Sequence, residues 1–169
     1  AGCVLVAFGV ESGDQETLNR LKKGTRLEQA ERAVAVCREA GLATHAFFVV
    51  GFPWETLDSL ERTLAFARRL DTDLFDINIA TPLPGTELYD LALAEGLTSP
   101  EMLAGASYAR AGLRTHHLSA QELTRWRRHA LLRLYARPRY IVRTLRRAWR
   151  TGCLPYYLRA GWGRLKVLV

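Results

Sequence analysis

Three apolar segments of this sequence each end in residues that can bind a ligand. These residues are Glu11 and Ser12 after the first segment, Gly51 and Phe52 in the second, and Ala80 and Thr81 at the end of the third. A carboxylate can accept hydrogen bonds from hydroxyl groups or pair with an ammonium group. A glycine at a strand end lets a ligand approach the backbone, because no Cβ atom stands in the way. The three segment ends together predict one ligand-binding site.

The spacing of apolar residues predicts the elements that position this site. Apolar and β-branched runs over residues 3–10, 44–50 and 74–80 are typical of buried strands. The residues between these runs recur at helical spacing, and Thr25 and Glu28 are spaced as a capping box. An alternation of strand, helix, strand, helix and strand predicts an α/β fold, a segment of a parallel sheet or (β/α) barrel. Ligands of such folds bind at the carboxyl ends of the strands.

The composition indicates a globular chain, and 49% of its 169 residues are hydrophobic. No apolar run reaches ~18 residues and no secretory signal pattern is present, so we expect a cytoplasmic protein. Cys3, Cys37 and Cys153 lie far apart and show neither disulfide nor metal-binding spacing, so we expect three reduced thiols. The chain starts inside a strand pattern without an initiator Met, and three strands make a poor closed barrel. We therefore expect a fragment with further sequence upstream.

A sharp change in charge divides the sequence near Ser119. Residues 1–118 hold 11 Lys and Arg against 16 Asp and Glu, whereas residues 119–169 hold 13 against the single acid Glu122. Ser119 and Glu122 are spaced as a capping box that opens a long helix, and Arg137-Pro138 separates this helix from a second one. The predicted divisions are an α/β barrel segment over 1–97, a connecting segment over 98–118 and a basic helical extension over 119–169.

Three segments, in register, resemble the second half of the barrel of radical S-adenosylmethionine (SAM) enzymes. Phe8-Gly-Val-Glu-Ser-Gly13, followed by Leu18-Asn-Arg-Leu-Lys-Lys-Gly24, is similar to their fourth strand and the helix after it. Val49-Val-Gly-Phe-Pro53 resembles the fifth strand. Thr81-Pro-Leu-Pro-Gly-Thr-Glu-Leu-Tyr89 resembles the segment that leaves the sixth. The resemblance covers roughly residues 3–90.

This resemblance implies an enzyme built on a partial (β/α)6 barrel that holds SAM and a [4Fe–4S] cluster. The family carries its cluster cysteines in a CxxxCxxC loop, which this chain lacks, so the cluster ligands would lie outside it. The intact protein would reductively cleave SAM to a 5′-deoxyadenosyl radical for C–H activation, methylation or rearrangement of a small-molecule substrate. A flavodoxin or ferredoxin would be the reductant. The segment Tyr135-Ala-Arg-Pro-Arg-Tyr-Ile141 resembles the subgroup that often carries a cobalamin-binding domain, so cobalamin is a further expected cofactor.

By this resemblance, nine residues are candidates for contact with SAM. They are Glu11, Ser12, Lys23, Val49, Val50, Gly51, Phe52, Ala80 and Thr81. The family places polar side chains such as Glu11 and Ser12 near the ribose and methionine of SAM, and a basic one such as Lys23 near its carboxylate. Glu11 could instead form a salt bridge across the barrel mouth, and Lys22 competes with Lys23 for the carboxylate.

Adenine would contact the second and third segments. It needs a flat apolar face and a few backbone hydrogen bonds, which Val49, Val50 and Gly51 could supply. The alternative is that Gly51 only permits close packing in a strand–helix turn. Main-chain groups of Ala80 and Thr81 could meet the adenine edge, or simply end a strand.

Two positions depart from the family pattern. Trp54 stands where that pattern has a second glycine, which implies a differently shaped turn, and Phe47 stands where some relatives have an acidic ribose ligand. The histidines supply no third ligand at suitable spacing, so we expect no metal site in this chain. No nucleophile has a paired base, so no catalytic residue is assigned.

Arginines alternate with aromatic and apolar residues over 119–169, and three interpretations stay open. The helices could pack on the barrel and pair their arginines with its net-negative surface. They could form a peripheral contact with an anionic membrane, which would suit a lipid or isoprenoid substrate. Nucleic-acid binding is the least favoured, because the segment is rich in Trp, Tyr and Leu and has no RNA-module pattern. Outside SAM chemistry, the alternatives are a (β/α) barrel enzyme with Glu11 as an acid–base group, and a membrane or nucleic-acid adaptor.

Overall fold

The computed structural model describes residues 2–150, apart from the side chains of residues 147, 148 and 150. Its three strands are β1 (Leu5–Glu11), β2 (Ala43–Val50) and β3 (Leu74–Ile79). They form one parallel sheet in the order β1-β2-β3, which confirms the predicted α/β fold. Because the strands are parallel, all three end at the same edge, here named the carboxyl edge. The opposite edge, where they begin, is named the amino edge.

Helices connect and cover these strands. In the part of the chain that the structure describes they are α1 (Gln15–Arg20), α2 (Leu27–Glu39), α3 (Leu57–Leu70), α4 (Glu87–Ala94), α5 (Pro100–Ala104), α6 (Ala120–Tyr135) and α7 (Pro138–Arg150). The capping box of Ser119 and Glu122 at the start of α6 is confirmed. Pro138 occupies the first position of α7, where a missing N–H costs no helical hydrogen bond.

The predicted capping box of Thr25 and Glu28 is wrong, because α2 begins one residue later. Arg26 stands at the N-cap, and its N–H donates to Oε1 of Gln29 at 2.7 Å. The side chain of Gln15 accepts the N–H of Leu27 at 3.1 Å. A glutamine on the preceding helix therefore takes part in setting the start of α2.

The two faces of the sheet have different surroundings. The helix-covered face carries residues that are at most 1% exposed: Ala46, Phe48, Val50, Phe75, Ile77 and Ile79. These residues belong to one hydrophobic core with residues of α3 and α6. The other side, here named the open face, carries His45, Phe47, Val49, Asp76 and Asn78, which are only half-buried. The alternation follows the two-residue period of a strand.

The outer edge of β3 is closed by side chains and loops. The hydroxyl group of Tyr135 accepts the N–H of Phe75 at 3.0 Å and donates to the carbonyl of the same residue. Nε of Arg127 donates to the carbonyl of Ile77. The N–H of Ile79 donates to the carbonyl of Tyr108 at 2.9 Å. Four of the backbone groups that a further strand would need are therefore already paired.

Ion pairs attach the basic segment to the acidic part of the chain. Arg133 of α6 pairs with Glu61 of α3 at 2.9 Å. Arg137 and Arg143 both pair with Asp71, next to the start of β3. Nε1 of Trp126 also donates to Glu61, at 2.9 Å. For these residues the structure agrees with the interpretation that the basic helices pack on the barrel segment.

Removing the hydroxyl group of Tyr135 should weaken the closed edge of β3. The Tyr135→Phe variant loses both hydrogen bonds to Phe75, which is 0% exposed, so water cannot replace them. We expect the free energy of unfolding to fall by about 1–3 kcal/mol, as measured by urea denaturation.

The matched control is Tyr108→Phe, because the Tyr108 side chain is 69% exposed. Its effect should stay within about 0.5 kcal/mol. Amide hydrogen exchange should also accelerate at Phe75 in the Tyr135 variant. Equal losses of stability in the two variants would contradict this account of the edge.

Candidate functional site

The carboxyl edge brings the three predicted segment ends together. The N–H of Ala80 donates to the carbonyl of Val50 at 2.8 Å, so the ends of β2 and β3 are bonded to each other. Glu11, the last residue of β1, is paired with Phe48 of β2 after a shift in register next to Gly9. The candidate residues of all three segments therefore lie along one edge, as the parallel arrangement requires.

Glu11 and Lys23 form an ion pair at the carboxyl edge. Oε1 of Glu11 lies 3.0 Å from Nζ of Lys23, and both side chains are partly exposed. Glu11 has a φ of 67°, a conformation that costs energy for a residue with a Cβ atom. Its carboxylate lies above Gly9, where an added Cβ atom would stand 2.6 Å from Oε1. Gly9 therefore provides the room in which the ion pair sits.

Of the two candidate lysines, the structure places Lys23 in contact with Glu11. Lys22 is exposed and has a φ of 53°. The turn after α1 thus directs one lysine to the carboxyl edge. The salt bridge of Glu11 is therefore local, to the turn after α1, and a ligand would have to replace it.

The structure separates Ser12 from the other candidates. Ser12 is 0% exposed, and its hydroxyl group lies 3.1 Å from Oγ1 of Thr63 in α3. The same hydroxyl accepts the N–H of Asp14 at 3.1 Å. At Gly13 an added Cβ atom would stand 2.5 Å from Cβ of Phe66, so the backbone itself contacts α3. Ser12 supports the loop that holds Glu11 and does not present its side chain to the edge.

Asp14 completes this support. Its Oδ2 accepts the N–H and the hydroxyl of Thr17 at the start of α1, and its Oδ1 accepts Nε of Arg62 at 2.9 Å. Burial disfavours the charged form, but the hydrogen bonds from Arg62 and Thr17 prevail and lower the pKa of Asp14. A charged, hydrogen-bonded carboxylate therefore connects the loop after β1 to α1 and α3.

A buried carboxylate shapes the turn after β2. Oε2 of Glu55 accepts the N–H of Gly51 at 2.6 Å and the N–H of Phe52 at 3.0 Å, and the residue is 0% exposed. Burial raises the pKa of Glu55 to about 7, although the two backbone hydrogen bonds oppose the shift. Gly51 has a φ of 92°, which favours glycine, and an added Cβ atom would stand 3.2 Å from Ile79. Both conformation and packing therefore require a glycine here.

The two valines before Gly51 point to opposite faces of the sheet. Val49 lies half-buried on the open face, whereas Val50 is 0% exposed in the core. Only Val49 can offer a side chain to a ligand on the open face. Phe52 stacks on Trp54, with ring centroids 5.4 Å apart. Trp54 has no positive φ, so this position in the turn accepts a side chain.

Ala80 and Thr81 have part of their hydrogen-bonding groups occupied. The N–H of Ala80 donates to Val50, and the hydroxyl of Thr81 lies 3.4 Å from the carbonyl of Ile79. Ala80 is 4% exposed. The main-chain groups that remain for the predicted contact with adenine are therefore the carbonyl of Ala80 and the main chain of Thr81.

The open face holds polar residues that the sequence analysis did not single out. Nε2 of His45 lies 2.9 Å from Oδ2 of Asp76, and the ring of His45 lies 4.1 Å from that of Phe47. Asn78 is two residues further along β3, opposite Val49. Asp76 is paired in register with Phe47. An acidic side chain therefore lies beside the position at which some relatives have an acidic ribose ligand. The signal was the alternation of polar and apolar residues in β3.

The described residues do not form a metal centre. Among residues 2–150, no group of three or more His, Cys, Asp and Glu side chains could hold a metal ion. The sequence also contains no CxxxCxxC spacing. The described residues thus offer charged and apolar groups at the carboxyl edge, and no group of three or more metal ligands.

Parallel α/β folds bind their ligands at the carboxyl edge, where this sheet carries Glu11 and Lys23. Residues 1–67 match the family model of the radical SAM superfamily. This match assigns residues 1–67 to the radical SAM superfamily. This identifies the family that the spacing of the three segments indicated.

Similar proteins extend the comparison to α6 and α7. An uncharacterised methyltransferase of Pyrococcus horikoshii is 31% identical over 85% of this chain and 31% of its own length. An anaerobic magnesium-protoporphyrin IX monomethyl ester cyclase of Cereibacter sphaeroides is 28% identical over 97% of this chain and 27% of its own length. A bacteriochlorophyllide d C-8(2)-methyltransferase of Chlorobaculum tepidum is 30% identical over 60% of this chain and 23% of its own length. The chain spans less than a third of each of these relatives.

The proton on Glu55 should make stability depend on pH. The folded protein keeps this proton up to about pH 7, whereas the unfolded chain loses it near pH 4.5. Because the folded state binds the extra proton, the free energy of unfolding should fall as pH rises through this window. A Glu55→Gln variant stays neutral and should not show this loss.

Urea denaturation of both proteins between pH 4.5 and pH 7 measures the effect. The wild-type protein should lose up to about 3 kcal/mol relative to Glu55→Gln across this range. A difference between the two proteins that stays constant with pH would contradict the raised pKa.

Proposed function

We propose that this chain supplies part of the SAM site of a radical SAM enzyme, and that Glu11 and Lys23 hold the methionine end of SAM. The observation that carries the proposal is the ion pair of Glu11 and Lys23, 3.0 Å long, above Gly9 at the carboxyl edge. The methionine end of SAM carries an ammonium and a carboxylate group. Each charge of the ligand thus has an opposite charge in this pair.

The exposure of the pair supports exchange with a ligand. The Glu11 side chain is 26% exposed and that of Lys23 is 36% exposed, so water already screens their attraction. Ion pairs of this kind contribute little free energy, and opening one costs correspondingly little. Glu11 would accept hydrogen bonds from the ammonium group or from ribose hydroxyls, and Lys23 would pair with the carboxylate.

Adenine is proposed to meet Val49 and the main chain around Gly51. Val49 lies on the open face, and Glu55 fixes the backbone at Gly51 through its hydrogen bond. The Ala80 carbonyl and the main chain of Thr81 would face the edge of the ring. Three other candidates would act indirectly. Ser12 holds the loop after β1, Val50 packs in the core, and Phe52 stacks on Trp54.

The [4Fe–4S] cluster does not fit the described residues of this chain, so we place its ligands outside residues 1–169. When bound, SAM and a reduced cluster supply radical chemistry at unreactive C–H bonds of a substrate. The residues of this chain would bind and orient SAM and exclude water from it. A flavodoxin or ferredoxin would supply the electron.

Methyl transfer is the proposed reaction subtype, because two of the relatives are named as methyltransferases. Cobalamin, held outside this chain, would suit such a transfer. The substrates in the relatives' names differ, so the proposal stops at a small molecule. The Arg-rich segment suggested a lipid or isoprenoid substrate in the sequence analysis. It is attached next to the start of β3, away from the carboxyl edge, so its position does not support a lipid substrate.

The test uses the full-length protein, reconstituted anaerobically with iron and sulfide. SAM should change the EPR spectrum of the reduced cluster in the wild-type protein. Glu11→Ala and Lys23→Ala should each weaken SAM binding, measured by equilibrium dialysis, by about tenfold or more, because each removes a charge-assisted hydrogen bond.

Two further variants make the test specific. Exchanging the charges, with Glu11→Lys and Lys23→Glu in one protein, keeps an ion pair but should leave SAM binding weak. Glu31→Ala with Arg69→Ala removes an ion pair between α2 and α3, 2.7 Å long, and should leave SAM affinity unchanged. Rescue of binding by the exchanged charges, or normal affinity in the single variants, would refute the assigned roles.

A further inference from the structure

The apolar side of helix α7 faces away from the other residues that the structure describes. Ile141, Val142 and Leu145 are 44%, 46% and 43% exposed, and Trp149 is 77% exposed. Their spacing of one, four and eight residues places them on one side of the helix. These four residues are named the apolar stripe. A helix of a soluble protein normally packs its apolar side on the core. In α7 the apolar side is instead the exposed one.

Polar contacts on the other side of α7 fix this orientation. Tyr140 is 7% exposed, and its hydroxyl donates to the carbonyl of Asp73 at 2.7 Å. Arg143 pairs with Asp71 and donates to the carbonyl of Thr72 at 2.9 Å. These acceptors lie just before β3, so α7 is attached at the amino edge. The stripe is therefore exposed on a helix that is held in place.

The charges beside the apolar stripe favour an anionic partner. Arg139 and Arg146 are exposed, and within residues 2–150 no acidic side chain forms an ion pair with either. From residue 119 to the end, the sequence carries 13 Lys and Arg and one acid. Apolar side chains, a tryptophan and flanking arginines are the features of helices that lie in the surface of an anionic membrane.

We propose that α7 is a membrane-docking helix, whose apolar stripe enters the surface of an anionic lipid bilayer while Arg139 and Arg146 contact lipid phosphates. The contact is peripheral, since no helix within the described part of the chain is long and apolar enough to span a bilayer. Lipid phosphates satisfy arginines that have no acidic partner, which an apolar protein surface would not. The inference is independent of the SAM site.

The experiment measures flotation of the full-length protein with vesicles of phosphatidylcholine, with and without phosphatidylglycerol. The wild-type protein should float with the anionic vesicles and lose binding at high salt. A variant with Ile141→Ser, Leu145→Ser and Trp149→Ser should bind at least about tenfold more weakly. Arg139→Gln with Arg146→Gln should lower binding by about fivefold per arginine.

Matched controls separate the stripe from general exposure and charge. Val36→Ser, Leu57→Ser and Tyr108→Ser change three other exposed side chains, and Arg32→Gln with Arg114→Gln removes two other exposed charges. Both controls should bind like the wild type. Thermal unfolding of each variant shows that its fold is intact.

Other occupants of the stripe are distinguishable outcomes. Absence of vesicle binding, together with a dimer that the triple serine variant dissociates in analytical ultracentrifugation, would assign the stripe to a second copy and overturn the proposal. Absence of both, with vesicle binding gained when residues 151–169 are deleted, would show that this segment prevents docking of α7. That result would also overturn the proposal.

Discussion

The carboxylate of Glu55 sits in the interior of the protein and accepts the N–H groups of Gly51 and Phe52. Without it, two backbone donors at the end of a buried strand would have no partner, which proteins rarely tolerate. The turn it fixes carries Gly51 close to Ile79 of the next strand. Val49 on the open face, and Val50 with its hydrogen bond from Ala80, directly precede this turn. Glu55, whose pKa is raised by burial, thus stabilises the candidate site although it is not itself exposed to solvent.

The three strands and their parallel arrangement could be predicted from the sequence because buried parallel strands are continuous apolar runs. The same property hid which side chains face which way. Val49 and Val50 look equivalent in the sequence, and only the register of β2 separates the open face from the core. The family resemblance implied that Ser12 contacts SAM, but its hydroxyl group lies next to that of Thr63 in α3, which is distant in sequence. Long-range partners decided both cases.

Local pattern was more informative where spacing alone sets the geometry. Ser119 and Glu122 form their capping box because both groups lie within one helical turn. Thr25 and Glu28 have the same spacing, yet the contact of Gln15 with Leu27 moved the start of α2. The pairing of Lys23 with Glu11 depended in the same way on the conformation of the turn after α1. For α7, the amphipathic spacing indicates a helix, whereas the acids near β3 decide which side it exposes.

The attachment of α7 at the amino edge separates the proposed membrane contact from the proposed SAM site by the length of the sheet. A strand of six to eight residues spans roughly 20–27 Å, so a surface held at the amino edge lies that far from the ligand groups at the carboxyl edge. With α7 resting on a bilayer, the mouth at the carboxyl edge would open to the aqueous phase. Substrate would then arrive by diffusion from solution, and a molecule dissolved in the bilayer would first have to leave it. The membrane would determine where the enzyme works and leave the choice of substrate to the opposite edge.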